Sequence, residues 1–167
     1  MSDEAINATW YFGYGSNMNR GTFVDRRGMH PIQTRSGFLD HHRLCFNLAI
    51  GRGLRAVANL ESQAGARTWG VLYLITTEEF DHLDRTEGVP FGGYRRMPVN
   101  VVVDTGETIA ALTYQSDKIT AGRKPSARYI GLLIEGARQN GLPPDYLDFL
   151  QSFELAPDER LAQTGQS

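Results

Sequence analysis

Glu87 is a carboxylate in an awkward place. It closes a helical stretch ending Leu83-Asp84-Arg85-Thr86 and directly precedes Gly88. The carbonyl end of a helix is partially negative, so an acid is disfavoured there. Val89, Pro90 and Phe91 follow, an apolar run expected to strip water from a neighbour. Both influences raise a carboxylate's pKa and make it a better proton acceptor near neutrality. Spacing alone equally allows a surface glutamate beside a capping glycine. Glu78, Glu79, Asp81 and Asp84 lie earlier on the same helix and are expected to be solvated.

A second group sits near the start of the chain, in Tyr11-Phe12-Gly13-Tyr14-Gly15-Ser16-Asn17-Met18. Trp10, Tyr11 and Phe12 favour an extended backbone, and Gly13 and Gly15 relieve steric limits where the chain turns or a ligand comes close. Ser16 and Asn17 bring short side chains and backbone N–H groups, a set able to hold a carboxylate or a developing oxyanion. An ordinary Gly/Ser/Asn turn is the plainer alternative. Tyr94, Tyr114 and Tyr129 could complete a pocket, or each could be a partly buried core tyrosine.

Other chemistries are poorly supported. His41 and His42 are adjacent, so on a strand they point to opposite faces, and His30 and His82 lack partners at ligand spacing. Neither a metal nor an organic cofactor is expected. Cys45, the single cysteine, excludes an intrachain disulfide, suits a reducing cytoplasm and reads as a buried thiol. Gly122-Arg123-Lys124-Pro125-Ser126 lacks the Gly-Lys-Ser/Thr of a phosphate loop, and Gly13-x-Gly15 lacks the third glycine of a dinucleotide fingerprint. A net charge of −2 and a pI near 6.1 give no global attraction to nucleic acid or anionic membrane. The doublets Arg26-Arg27 and Arg95-Arg96 read as solvated faces. Met1-Ser2-Asp3-Glu4 is acidic with no apolar run behind it, so no leader is expected, and no segment approaches membrane-spanning length.

The elements that must position these residues follow from periodicity. A strand over 10–15 leads into the glycine loop and a short helix near 19–26. Residues 33–48 read as one or two strands with a bulge or bend at Gly37. A loop over 50–55 precedes a short strand at 56–60. Trp69, Val71, Tyr73 and Ile75 alternate with Leu72 and Leu74, so the strand ending at Thr76 is covered on both faces. Thr77 is expected to cap the helix that ends at Glu87, and strands at 94–104 and 107–116 form a hairpin. Pro125-Ser126 opens a helix with the stripe Tyr129, Ile130, Leu133, Ile134 and Ala137. Asn140-Gly141 ends it, and a last helix covers 144–153. The class is α+β in one domain over 10–155, with 1–9 and 156–167 as flexible termini.

In this order and spacing the pieces resemble the γ-glutamylcyclotransferases. The matching elements are Tyr14-Gly15-Ser16-Asn17-Met18, Trp69-Gly70-Val71-Leu72-Tyr73, Leu83-Asp84-x-x-Glu87-Gly88, Gly93-Tyr94 and the strand ending at Tyr114. They continue with Pro125-Ser126-x-x-Tyr129 and Asn140-Gly141-Leu142-Pro143 with Tyr146. The resemblance implies a small mixed β-barrel flanked by helices, with a cavity at one end. It also implies Glu87 as catalytic acid/base, Tyr14, Gly15, Ser16, Asn17 and Met18 as the substrate-binding loop, and Tyr94, Tyr114 and Tyr129 as cavity walls. The Ser116–Lys124 loop is slightly longer than expected of the animal enzymes, which leaves the rim open.

The implied reaction is an intramolecular aminolysis: the α-amine of a γ-glutamyl amino acid or peptide attacks its own γ-carbonyl, giving 5-oxoproline and the free amino acid. Two alternatives stand beside it. One is a cyclotransferase for γ-glutamyl-amines or a natural-product intermediate, with Arg52, Arg55 and residues 116–124 at its rim. The other is a non-catalytic protein that binds a small metabolite or a protein. The implied partner is a small γ-glutamyl substrate, with neither nucleic acid nor membrane, on a monomer or homodimer.

Overall fold

The computed structural model describes residues 7–157. Its strands are β1 (Ala8–Gly13), β2 (Gln33–Ala49), β3 (Ala56–Thr76), β4 (Arg95–Val103) and β5 (Thr108–Gln115). They close into a barrel in the order β1-β3-β2-β4-β5. β1 and β5 run parallel, through the pair Tyr11 and Leu112, and the other pairings are antiparallel. Helices α1 (Thr77–Thr86), α2 (Ala127–Gln139) and α3 (Pro144–Gln151) flank it. This is the α+β class read from the residues, in the form of the mixed barrel with flanking helices that the family resemblance implies.

β3 is the spine. Val71, Leu72, Tyr73 and Ile75 are all buried, so both its faces are covered. It is also longer than its apolar pattern, running unbroken through Glu61–Thr68, where the sequence is too polar to mark a strand. Pairing with β2 supplies the order that hydrophobicity does not, from Leu44 opposite Leu60 to Asp40 opposite Arg67. The register shifts between Asp40 and His42, and His41 takes a φ of 64°. The irregularity expected at Gly37 is therefore at His41.

Gly37 serves close approach instead. It lies opposite Gly70, and a Cβ on it would stand 2.7 Å from the Val102 carbonyl oxygen. A Cβ on Gly70 would stand 2.5 Å from the Gly13 oxygen. Side chains at this pair would drive the closing strands apart.

The ends of the elements differ from expectation in four places. Ala8 and Thr9 already belong to β1, paired with Thr76 and Ile75. Thr76 rather than Thr77 caps α1, its hydroxyl accepting from the Glu79 N–H at 3.1 Å. The helix expected near 19–26 is a 3-10 turn, Ser16–Met18, followed by a wide π-helical turn, Gly21–Arg26. Ala156, expected in a polar tail, is buried and its N–H donates to the Pro125 oxygen at 2.8 Å. The rest of the expected flexible termini, 1–6 and 158–167, lies outside the described residues.

Candidate active site

β1 ends at Gly13, and the following loop is fixed from below and behind. Tyr11, Phe23 and Tyr73 stack beneath it, with Phe23 and Tyr73 centroids 4.0 Å apart. The Tyr73 hydroxyl donates to the Asn17 oxygen at 2.7 Å. Behind, α2 approaches so closely that a Cβ on Gly136 would stand 2.6 Å from the Met18 carbonyl carbon. Asn140, at the end of α2, donates its amide to the Met18 oxygen at 3.0 Å. The Tyr14 hydroxyl donates to the Tyr114 oxygen at 2.5 Å, tying the loop to β5.

A cavity of about 570 Å³ opens over this loop. Tyr14, Gly15, Ser16, Asn17, Glu87, Tyr94, Tyr114 and Tyr129 all line it. Met18 does not: it is fully buried, and it meets the rest of the site only through its backbone oxygen. Seen from the sequence it looked like part of the substrate-facing loop, but the 3-10 turn rotates it into the core.

Glu87 caps the C-terminus of α1, its N–H bonded to the Leu83 oxygen at 2.9 Å. Its side chain is 12% exposed. Asn17 donates its amide to Glu87 Oε1 at 2.8 Å, and the same nitrogen lies 2.8 Å from the Tyr11 hydroxyl. The other end of the Asn17 amide accepts from Arg27 Nε at 2.6 Å, and a terminal Arg27 nitrogen stands 3.8 Å from Glu87 Oε1. Burial raises the Glu87 pKa; the Arg27 charge and the Asn17 hydrogen bond pull it back without cancelling the rise. A raised carboxylate can take a proton from an amine more readily and return it later.

Of the apolar neighbours expected to strip water from Glu87, Val89 is half-buried against the core and Pro90 is exposed. Phe91 is 87% exposed, in a short turn set between Gly88 and Gly92, both at positive φ. Glu87 is covered by groups from the other side of the site. Arg27 belongs to that set, although its doublet read as a solvated face. Asp84, expected to be solvated, is 19% exposed and accepts from Arg96 and from the Tyr114 hydroxyl at 2.6 Å.

Tyr94 and Tyr129 hold the two backbone polar groups of one residue, Ala58. The Tyr129 hydroxyl accepts from the Ala58 N–H at 3.1 Å, and the Tyr94 hydroxyl donates to the Ala58 oxygen. Burial pushes the Tyr129 phenol up to about 12 and raises those of Tyr11, Tyr14 and Tyr94 well above the ordinary phenol. These phenols stay neutral; Tyr14 and Tyr94 give their single O–H to the Tyr114 and Ala58 oxygens, whereas Tyr11 and Tyr129 act as acceptors in the bonds above and keep theirs.

The rim also differs from expectation. Arg55 lines the cavity, but Arg52 and the 116–124 loop do not; Arg26 and Arg128 do. Lys124 and Arg123 are turned to the hairpin end, where they bond backbone groups of residues 51–56. Cys45 is buried away from the cavity, its thiol 3.4 Å from the Asn59 oxygen and pushed up to about 11 by burial.

A closed barrel carries a largely buried acid over a glycine loop, and the chain belongs to the AIG2-like family, whose model matches residues 67–150. Among its relatives, γ-glutamyl cyclotransferase gliK of Claviceps purpurea is 31% identical over 142 residues, covering 77% of this chain. The chain spans 63% of that relative's length. The human γ-glutamylcyclotransferase is 28% identical, with 86% of this chain and 78% of the human protein covered. A solved γ-glutamyl cyclotransferase shares the fold with a TM-score of 0.79 at 24% identity, covering 89% of both chains.

Proposed function

We propose that the chain is a γ-glutamylcyclotransferase, converting a γ-glutamyl amino acid or peptide to 5-oxoproline and the released amino compound. The observation that carries this is the contact of Asn17 with Glu87 inside the cavity, 2.8 Å between two segments seventy residues apart. It puts a raised carboxylate beside the loop that would hold the γ-glutamyl head. The names of the relatives point to the same reaction.

In the proposed sequence, Tyr14, Gly15, Ser16 and Asn17 hold the head folded back on itself, and Tyr94, Tyr114 and Tyr129 shape the walls. Freezing that conformer supplies much of the rate, because nucleophile and carbonyl belong to one molecule. Glu87 takes a proton from the α-ammonium; the freed nitrogen attacks the γ-carbonyl carbon. Glu87 returns that proton to the leaving nitrogen, and the bond to it breaks as the tetrahedral oxyanion collapses. The freed carboxylate takes the second proton of the ring nitrogen, which departs with the released amine as its ammonium. An α-ammonium near ~8 and an ordinary glutamate near ~4.3 would make the first transfer cost about 5 kcal/mol. The burial of Glu87 narrows that gap.

The test is release of 5-oxoproline from γ-glutamyl amino acids, γ-glutamyl amines and glutathione by the purified protein. Product from at least one amino acid or peptide conjugate is expected. Binding of these compounds with no product from any would leave a binding protein rather than an enzyme.

A further inference from the structure

The cavity is charged against the grain of the chain. Acids outnumber lysine and arginine by 19 to 17 overall, yet Arg26, Arg27, Arg55 and Arg128 line the cavity against one carboxylate, Glu87. Arg27 is committed to Asn17 and Glu87. The others arrive from separate elements: Arg26 from the end of the π-helical turn, Arg55 from the bridge beside Lys124, and Arg128 from the first turn of α2. A γ-glutamyl head brings one carboxylate and one ammonium, which offset each other, so the charges of Arg26 and Arg128 are left over even with Arg27 and Arg55 set aside. Guanidinium groups pair with carboxylates through two parallel hydrogen bonds, and the start of α2 adds its own preference for an anion beside Arg128.

Building on the cyclotransferase function, we propose that Arg26 and Arg128 form an anion subsite that reads a carboxylate on the leaving part of the substrate. They are specificity-determining residues for conjugates of amino acids and peptides, and they select against neutral γ-glutamyl amines.

The subsite is tested by calorimetry on the Glu87→Gln protein with two ligands, γ-glutamylalanine and γ-glutamylethylamine, which differ in that carboxylate. At low salt the alanine conjugate should bind about tenfold more tightly, as one charge-assisted contact allows. In an added Arg26→Gln, Arg128→Gln background the ratio should fall towards one, and raised salt should act in the same direction. Both side chains are exposed, and an unchanged melting temperature checks that the fold is intact. Equal binding of the two ligands before the arginines are replaced overturns the subsite. So does a loss that strikes both ligands alike, which would mean that the arginines hold the glutamyl head. Binding of neither ligand, with no 5-oxoproline from the wild-type protein, overturns the cyclotransferase function and the subsite together, whereas binding without preference overturns the subsite alone.

Discussion

The two sides of the cavity are built on opposite plans. The Tyr14–Met18 side is locked in: aromatic rings stack beneath it, the backbone of α2 presses on Met18, and hydroxyls of Tyr73 and Tyr14 tie it to the barrel. The Glu87 side hangs from a helix end and continues into a solvent-facing turn with glycines at positive φ on either side. The acid therefore takes its environment from across the cavity. Asn17 and Tyr11 cover it and Arg27 tempers it, while Phe91 of its own segment faces solvent. One side supplies position and dielectric; the other carries Glu87, the acid to which the proposed function gives the proton transfer.

The comparison breaks most sharply at Glu87. Glu87→Gln keeps the shape and an oxygen for Asn17 but removes proton transfer. Turnover should fall by about a thousandfold, within the usual range for a general acid–base group. Ligand affinity should persist, because the loop side is untouched. Steady-state rates together with calorimetric affinity check this, and near wild-type turnover would remove Glu87 from the role.

Gly136→Ala attacks the locked side without touching the cavity. Its Cβ would meet Met18 backbone at 2.6 Å and Asn19 N at 2.7 Å, so helix and loop must separate. Overpacking of this kind costs about 1–3 kcal/mol. The melting temperature should drop, and the Michaelis constant should rise more than the turnover number falls.

Much of this division was readable in advance. The awkwardness of Glu87 at a helix end, the strand covered on both faces and the stop at Asn140-Gly141 all come from local rules of periodicity and capping. Joining Glu87 to the glycine loop needed the family resemblance, since nothing local links segments seventy residues apart. Arg27 was out of reach. A doublet such as Arg26-Arg27 looks solvated whether or not one member turns inward, and a π-helical turn changes which member does, because its residues per turn differ from those of an α-helix. Met18 was misjudged for a related reason: the tight 3-10 turn sends it into the core. The strand through Glu61–Thr68 was missed because its order comes from pairing with β2 rather than from burial.

Arg27 offers a sharper probe of how the locked side tunes the acid. Its charge lowers the Glu87 pKa against the larger rise from burial. Arg27→Gln removes the lowering contribution, so the folded-state pKa should climb. A base works deprotonated, so the acid limb of the kcat/KM profile should move to higher pH, with the plateau recovered above it. The sign for stability is the same. A carboxylate whose pKa is higher folded than unfolded binds more protons in the folded state, so stability falls as pH rises from the unfolded value through the folded one. Replacing Arg27 should widen that window upward, read by melting temperature against pH. A limb that stays put would show that Asn17, rather than the cation, sets the acid.

The smallest effect should come from Phe91, one of the three residues in the apolar run expected to desolvate Glu87. Phe91 is exposed, and removing an exposed side chain commonly changes stability by less than about 0.5 kcal/mol. Phe91→Ser should accordingly leave the melting temperature and the acid limb of the pH profile close to wild type. A downward shift of that limb in Phe91→Ser would mean that the turn folds over Glu87 in the working enzyme and that desolvation comes from both sides. With no shift, the raised carboxylate belongs to the opposite wall, and the exposed turn is free to vary in sequence without altering the acid it carries.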